Sequence, residues 1–166
     1  VVLSPMSYLH EHDKINNRWP AAEKFILKHQ LNEQFGPKAA KIGIICQGGM
    51  YNGLIRALQR LGLADIYGET ELPIYCLNIT YPLVNDEFLS FVKGKDGVLV
   101  IEEGQPEFIE QGLSTMLLRS GLKVSLHGKD MLPMAGEYTG QVVLEGVTAF
   151  LRKHAPNMLP GQVRAP

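Results

Sequence analysis

KIGIICQGGMYNGLIRALQRL, residues 41–61, changes its apolar period half-way along. Ile42, Ile44, Ile45 and Cys46 form a short, largely β-branched run, whereas Leu54, Ile55, Leu58 and Leu61 recur at helical spacing with Arg56 and Arg60 turned away. The stretch predicts a strand, a tight turn and a helix from about Tyr51 to Leu61, with Gly62 ending it. Gly48 and Gly49 occupy the turn, where a phosphate would bind if the loop were a nucleotide fingerprint. The order Gly48-Gly49-Met50-Tyr51-Asn52-Gly53 does not match G-x-G-x-x-G, and no lysine follows Gly53 as a P-loop requires, so the tight turn is the preferred reading.

The same alternation continues down the chain. Leu72–Ile79 reads as a second strand with Pro73 near its start, closed by Tyr81-Pro82. Asn85 or Asp86 is expected to cap a short helix reaching Lys93 and burying Phe88, Leu89 and Val92. Gly97–Glu102 is apolar on both faces, as a central parallel strand is. Pro106 suits a first helical position, and Phe108, Ile109, Leu113, Met116 and Leu117 form the expected buried stripe before Gly121. Lys123–His127 is a fourth strand. A last helix starts at Thr139 and buries Val142, Val143, Gly146, Val147, Phe150 and Leu151.

Strands that alternate with helices imply parallel pairing and helices on both faces. The expected fold class is α/β, a three-layer α/β/α sandwich with a mainly parallel sheet of four or five strands. Residues 1–40 read as a helical lead-in, with a helix from about Ala21 to Gln34 lying on the outside; 41–155 is the α/β domain and 156–166 a flexible tail.

Sixteen basic and seventeen acidic residues leave a net charge of -1 with no basic cluster, which argues against nucleic acid. The apolar runs fall far short of the roughly 20 residues that cross a bilayer, and Val1-Val2-Leu3-Ser4-Pro5 does not resemble a secretory signal. A cytoplasmic setting is expected. Cys46 and Cys76 lie in apolar runs and read as buried, reduced thiols, without the spacing of a metal or cluster site. The chain starts without Met, which suggests a piece of a larger protein.

Ligands of open α/β sheets gather beyond the carboxyl ends of the strands. That rim is expected to hold Gln47, Gly48, Asn78, Thr80, Glu102, Glu103, His127 and Lys129. Glu102 and Glu103 are adjacent and therefore point to opposite faces of an extended chain, so capping or interdomain hydrogen bonding is preferred to paired acid–base catalysis. His127, near Lys129 and Asp130, has no nucleophile in a recognisable context and reads as a surface histidine; His10-x-His12 reads as solvated. Tyr81 before Pro82 is expected to set the direction of its loop.

Thr80-Tyr81-Pro82-Leu83, Val100-Ile101-Glu102-Glu103 with Phe108-Ile109-Glu110-Gln111, Gly128-Lys129 with Leu132-Pro133, and Gly136-Glu137 occur in an order that resembles indolepyruvate ferredoxin oxidoreductase. The resemblance covers about residues 40–152 and is to the transketolase C-terminal-like domain of that family. It implies an enzyme that oxidatively decarboxylates arylpyruvates to acyl-CoA with thiamine diphosphate and magnesium, coenzyme A and iron–sulfur clusters, and that passes electrons to ferredoxin. The family's G-D-G…N diphosphate motif and its cysteine runs do not occur here, so this chain is expected to hold no cofactor or metal and no catalytic residue. It would contact other domains or subunits. Gly48, Gly49, Thr80, Tyr81, Glu102, Glu103 and Lys129 are the candidates for the cleft or interdomain surface. One departure is the step Cys46-Gln47-Gly48-Gly49-Met50-Tyr51, where the family commonly has Thr-Ser-Gly before the aromatic. A free-standing flavodoxin-like module binding a phosphate ligand at Gly48–Gly53, and a homodimeric assembly domain, are the alternatives.

Overall fold

A computed structural model describes residues 3–160. Strands β1 (Glu33–Phe35), β2 (Ile42–Gln47), β3 (Ile74–Leu77), β4 (Gly97–Ile101) and β5 (Ser125–His127) form one sheet in the order β1-β3-β2-β4-β5. All pairs are parallel except β1 with β3. Helices α3 (Tyr51–Arg60), α4 (Asn85–Val92) and α5 (Phe108–Ser120) make the crossovers, α6 (Gly140–His154) follows the last strand, and α1 (Met6–Asp13) and α2 (Trp19–His29) form the leader.

Because successive side chains alternate across a strand, the sheet has two apolar faces. Ile42, Ile44, Cys46, Ile74, Cys76, Leu99 and Ile101 pack with α3 and α6, where Leu58, Val147 and Phe150 are fully enclosed. Ile45, Tyr75, Leu77, Val98 and Val100 pack with Phe88, Phe91 and Val92 of α4 and Ile109 and Leu113 of α5. Helices therefore cover both faces, as the alternation of runs predicts. Gly62, in a left-handed conformation (φ 73°), ends α3 where a side chain would be strained.

The structure corrects several expectations. The helix expected over Ala21–Gln34 stops at His29, and Glu33–Phe35 pairs with β3 as an antiparallel edge strand. Among the described apolar residues of the leader only Ile26 is buried, and Phe25 and Leu27 stay exposed. Neither Asn85 nor Asp86 caps α4 through its side chain. Pro106 lies before α5 and not at its first position, and Phe108 is 70% exposed, not part of the buried stripe. Pro156–Met158 forms a short 3-10 turn after α6, with Met158 and Leu159 against the core, and the rest of the expected tail lies outside the described residues.

Cys46 and Cys76 stand opposite each other on β2 and β3, free and buried. The Cys46 thiol is pushed far up by its hydrogen bond with Cys76 and by burial. Both behave as packing groups of the core.

Candidate functional site

The chain leaves β2 toward the α3 side and β4 toward the α5 side, so the crevice between their carboxyl ends is the switch point of the sheet, where open α/β folds bind ligands. A cleft of about 650 Å³ opens there. Gln47 ends β2 on its floor; Thr80, Tyr81 and Leu83 come from the loop after β3; Glu102 follows β4; Phe108, Ile109, Gly112 and Met116 come from α5. The remaining wall is leader, with Trp19 and Glu23 of α2. Gly112 lets α5 approach the loop after β3, because a Cβ there would meet Leu83 Cδ1 at 2.7 Å.

Aromatic surface dominates the mouth. Tyr81 is 65% exposed, and its ring lies 5.1 Å from that of Trp19, tilted by 59°. Trp19 Nε1 donates to Glu23 Oε1 at 3.1 Å, which fixes the indole and the carboxylate together. Among the described residues, no lysine, arginine or histidine lines the cleft.

Glu102 is only 5% exposed. Its carboxylate accepts from Ile109 N at 2.9 and 3.1 Å and from Glu110 N at 3.0 Å, and so satisfies the first free amides of α5. Glu103 turns the other way, as adjacent residues must. Its amide donates to Gln47 Oε1 at 3.0 Å, and its carboxylate accepts from Tyr138 N. Lys129 is also engaged internally, donating from Nζ to Glu102 O (2.6 Å) and to Tyr138 Oη (2.7 Å). The structure thus brings Gln47, Thr80, Tyr81 and Glu102 to the cleft and leaves Gly48, Gly49, Asn78, Glu103 and Lys129 out of its lining.

Gly48–Met50 forms a single 3-10 turn that runs directly into α3. The two glycines are unequal. A Cβ on Gly48 would stand 2.7 Å from Asn78 Oδ1, while one on Gly49 would meet nothing within 4 Å. Asn78 cannot yield freely, because its Nδ2 donates to Leu31 O (3.0 Å) and Glu33 Oε2 (2.8 Å). Gly48→Ala is expected to cost about 1 kcal/mol through that displaced amide, and Gly49→Ala under about 0.5 kcal/mol. Urea midpoints of the two variants check this.

His127 is buried, contrary to the surface reading, and belongs to a chain of contacts behind the sheet. Its Nδ1 lies 2.6 Å from Asp130 Oδ2 and its Nε2 lies 2.9 Å from His154 Nε2. With Nδ1–H donating to Asp130, the His127 Nε2 lone pair accepts from His154 Nε2–H. Burial holds the His154 pKa below its usual value, and the neighbouring His127 and Lys153 act in the same direction while Asp96 opposes them. A histidine depressed in the fold contributes stability that is full above its unfolded pKa near about 6.5 and declines as pH falls through the folded value. Unfolding midpoints are expected to drop between pH 7.5 and 5, with about one extra proton on the unfolded chain, and His154→Gln should flatten that slope. His10 and His12 are exposed on α1.

A family profile described as "Indolepyruvate oxidoreductase domain" matches residues 32–145. The chain belongs to this family. It is 31% identical over 121 residues to indolepyruvate oxidoreductase subunit IorA of Thermococcus kodakarensis, and 31% identical over 140 residues to IorA of Methanothermobacter marburgensis. Those matches cover 73% and 83% of the chain but 18% and 21% of the relatives, so it spans about a fifth of their length. The fold is also that of a 2-oxoglutarate:ferredoxin oxidoreductase from Magnetococcus marinus, with TM-score 0.58 and 19% identity over 90% of this chain and 24% of the other. A split-gene transketolase, described as an inactive beta4 tetramer, matches with TM-score 0.51 and 16% identity over 74% of this chain and 42% of the other. The transketolase-like α/β fold expected from the sequence is therefore established. The aromatic wall lies outside the sequence reading, because Trp19, Glu23 and the exposed Phe108 follow no chemical motif.

Proposed function

We propose that this chain is the non-catalytic α/β domain of a thiamine diphosphate-dependent oxidoreductase that decarboxylates indolepyruvate or a related arylpyruvate to an acyl-CoA and reduces ferredoxin in the cytoplasm. The observation that carries the reading is membership of the indolepyruvate oxidoreductase domain family by a chain that spans only about a fifth of its curated relatives.

The residues present do not fit the cofactors of such an enzyme. A diphosphate needs cationic partners or a metal, and among the described residues the cleft offers the carboxylates Glu23 and Glu102 with no basic side chain. Iron–sulfur clusters take four cysteines as a rule; this sequence has two, both enclosed in the core, and no group of three or more His, Cys, Asp or Glu side chains among the described residues is placed to hold a metal. The domain's contribution is thus packing surface for the parts of the enzyme that hold those groups, with Gln47, Thr80 and Tyr81 at the cleft and Gly48, Gly49, Glu103 and Lys129 shaping the rim behind it. The division into a lead-in, an α/β domain and a tail is part of this proposal, with Glu33–Phe35 assigned to the domain because it pairs in the sheet.

Amide chemical shifts of the chain during titration with thiamine diphosphate and magnesium, coenzyme A, flavin mononucleotide and nucleotides test the reading. No saturable shift is expected, whereas the enzyme that contains the domain should reduce a viologen dye when given indolepyruvate and coenzyme A. Saturable shifts at Gly48, Gly49 and Gly53 would replace it with the phosphate-binding module, and a dimer without ligand or oxidoreductase partner would replace it with an assembly domain.

A further inference from the structure

We propose that the aromatic cleft receives an arginine side chain carried on an apolar segment of another domain or subunit of the same enzyme; the choice of partner rests on the functional reading above. The cleft has the composition of a cation acceptor. Trp19, Tyr81 and Phe108 supply π faces, which attract a cation through the ring quadrupole, and the Trp19 ring already has one, with Lys14 Nζ 5.8 Å from its centroid.

The second element is the Glu23 carboxylate. Among the described residues only its Oε1 is engaged, by Trp19 Nε1, so Oε2 remains as an acceptor at the edge of the aromatic wall. Glu102, the other carboxylate in the lining, is consumed by the amides of α5. Among the described residues no basic side chain lines the cleft, and Lys14, beside the Trp19 indole, makes no ion pair with Glu23, so the cleft disfavours a carboxylate or phosphate and leaves the Glu23 Oε2 to be matched by a donor. Arginine suits it better than lysine because its planar guanidinium stacks on rings while donating to a carboxylate.

The space of about 650 Å³ exceeds one side chain, and Leu83, Ile109 and Met116 provide an apolar floor for the neighbours of the arginine. A protein segment is favoured over a small molecule because most of the relatives' length lies outside this chain, and because exposed Tyr81 and Phe108 are of the residue class that anchors interface cores.

Trp19 is the sole tryptophan, so its fluorescence reports on this site alone. The 166-residue chain is titrated with capped Leu-Arg-Leu, Leu-Gln-Leu and Leu-Glu-Leu peptides. A saturable change with the arginine peptide is expected, weakened about tenfold or more in Glu23→Gln, which keeps an acceptor for Trp19 Nε1. In the assembled enzyme, Glu23→Arg should reduce co-elution of this domain with its partners while circular dichroism stays unchanged. Equal response to the three peptides would overturn the proposal. So would saturation by free indole without response to the arginine peptide, or a self-dimer in sedimentation that protects Trp19 from quenching. Arginine-peptide binding in a chain whose parent shows no 2-oxoacid oxidation supports the cleft and sinks only the functional reading, while oxidation without peptide binding sinks only the cleft.

Discussion

Glu102→Ala is expected to destabilise the chain by about 3 kcal/mol, read as a fall in the urea midpoint at unchanged slope. The side chain is buried, and it accepts from the amides of Ile109 and Glu110 at 2.9–3.1 Å. Helix α5 has no side-chain cap at Glu107, the residue before it, so those two amides depend on Glu102. Truncation removes charge-assisted bonds and leaves two helix-end amides without their acceptor at a position only 5% exposed. The carboxylate also meets the positive end of the helix, and that attraction is lost too. Glu102→Gln keeps one carbonyl oxygen for the amides and should cost about half as much. A loss under about 1 kcal/mol for the alanine variant would mean that α5 does not rely on this cap.

Glu102 also shows how much a single sequence discloses. Its position at the end of an apolar run marks it as a rim residue, and alternation sets it on the opposite face from Glu103. The rule could not say that the carboxylate turns down onto a helix beginning six residues later, because that depends on how tightly the intervening loop returns. Phe108 failed for the same reason. Apolar periodicity placed it with Ile109 and Leu113, but it opens α5, where no element covers it, and it becomes cleft wall instead of core. The parallel strands were legible because each is apolar on both faces. Glu33–Phe35 was not: an exposed edge strand of three residues follows a helical stretch without any apolar alternation, and its strand character comes from pairing with β3. Likewise nothing near His127 in sequence announces His154, which α6 brings to it from 27 residues away.

Asn32→Ala is the second large effect, at about 2 kcal/mol, and it reaches the cleft. Asn32 follows α2 and is 7% exposed. Its Oδ1 accepts from Ile79 N at 2.9 Å; its Nδ2 donates to Glu87 Oε2 at 2.9 Å and, more weakly, to Tyr75 Oη at 3.4 Å. Tyr75 Oη in turn donates to Glu87 Oε2 at 2.8 Å. Burial, and then the hydrogen bond to Glu87, push the Tyr75 pKa well above the usual phenol range, so the hydroxyl stays a donor. Removing the Asn32 amide leaves the Ile79 amide without its acceptor and cuts the leader's hold on β3 and α4. Asn32→Asp should be worse at pH 7, since it replaces a donor to Glu87 with a second carboxylate, and its deficit should narrow toward pH 4 as one proton comes to be shared between the two. Because α2 carries Trp19 and Glu23, the same loss should loosen one wall of the cleft, and the Trp19 emission should shift to the red before the global unfolding transition. A single coincident transition in Asn32→Ala would show instead that α2 is held by Ile26 packing and the β1 pairing alone.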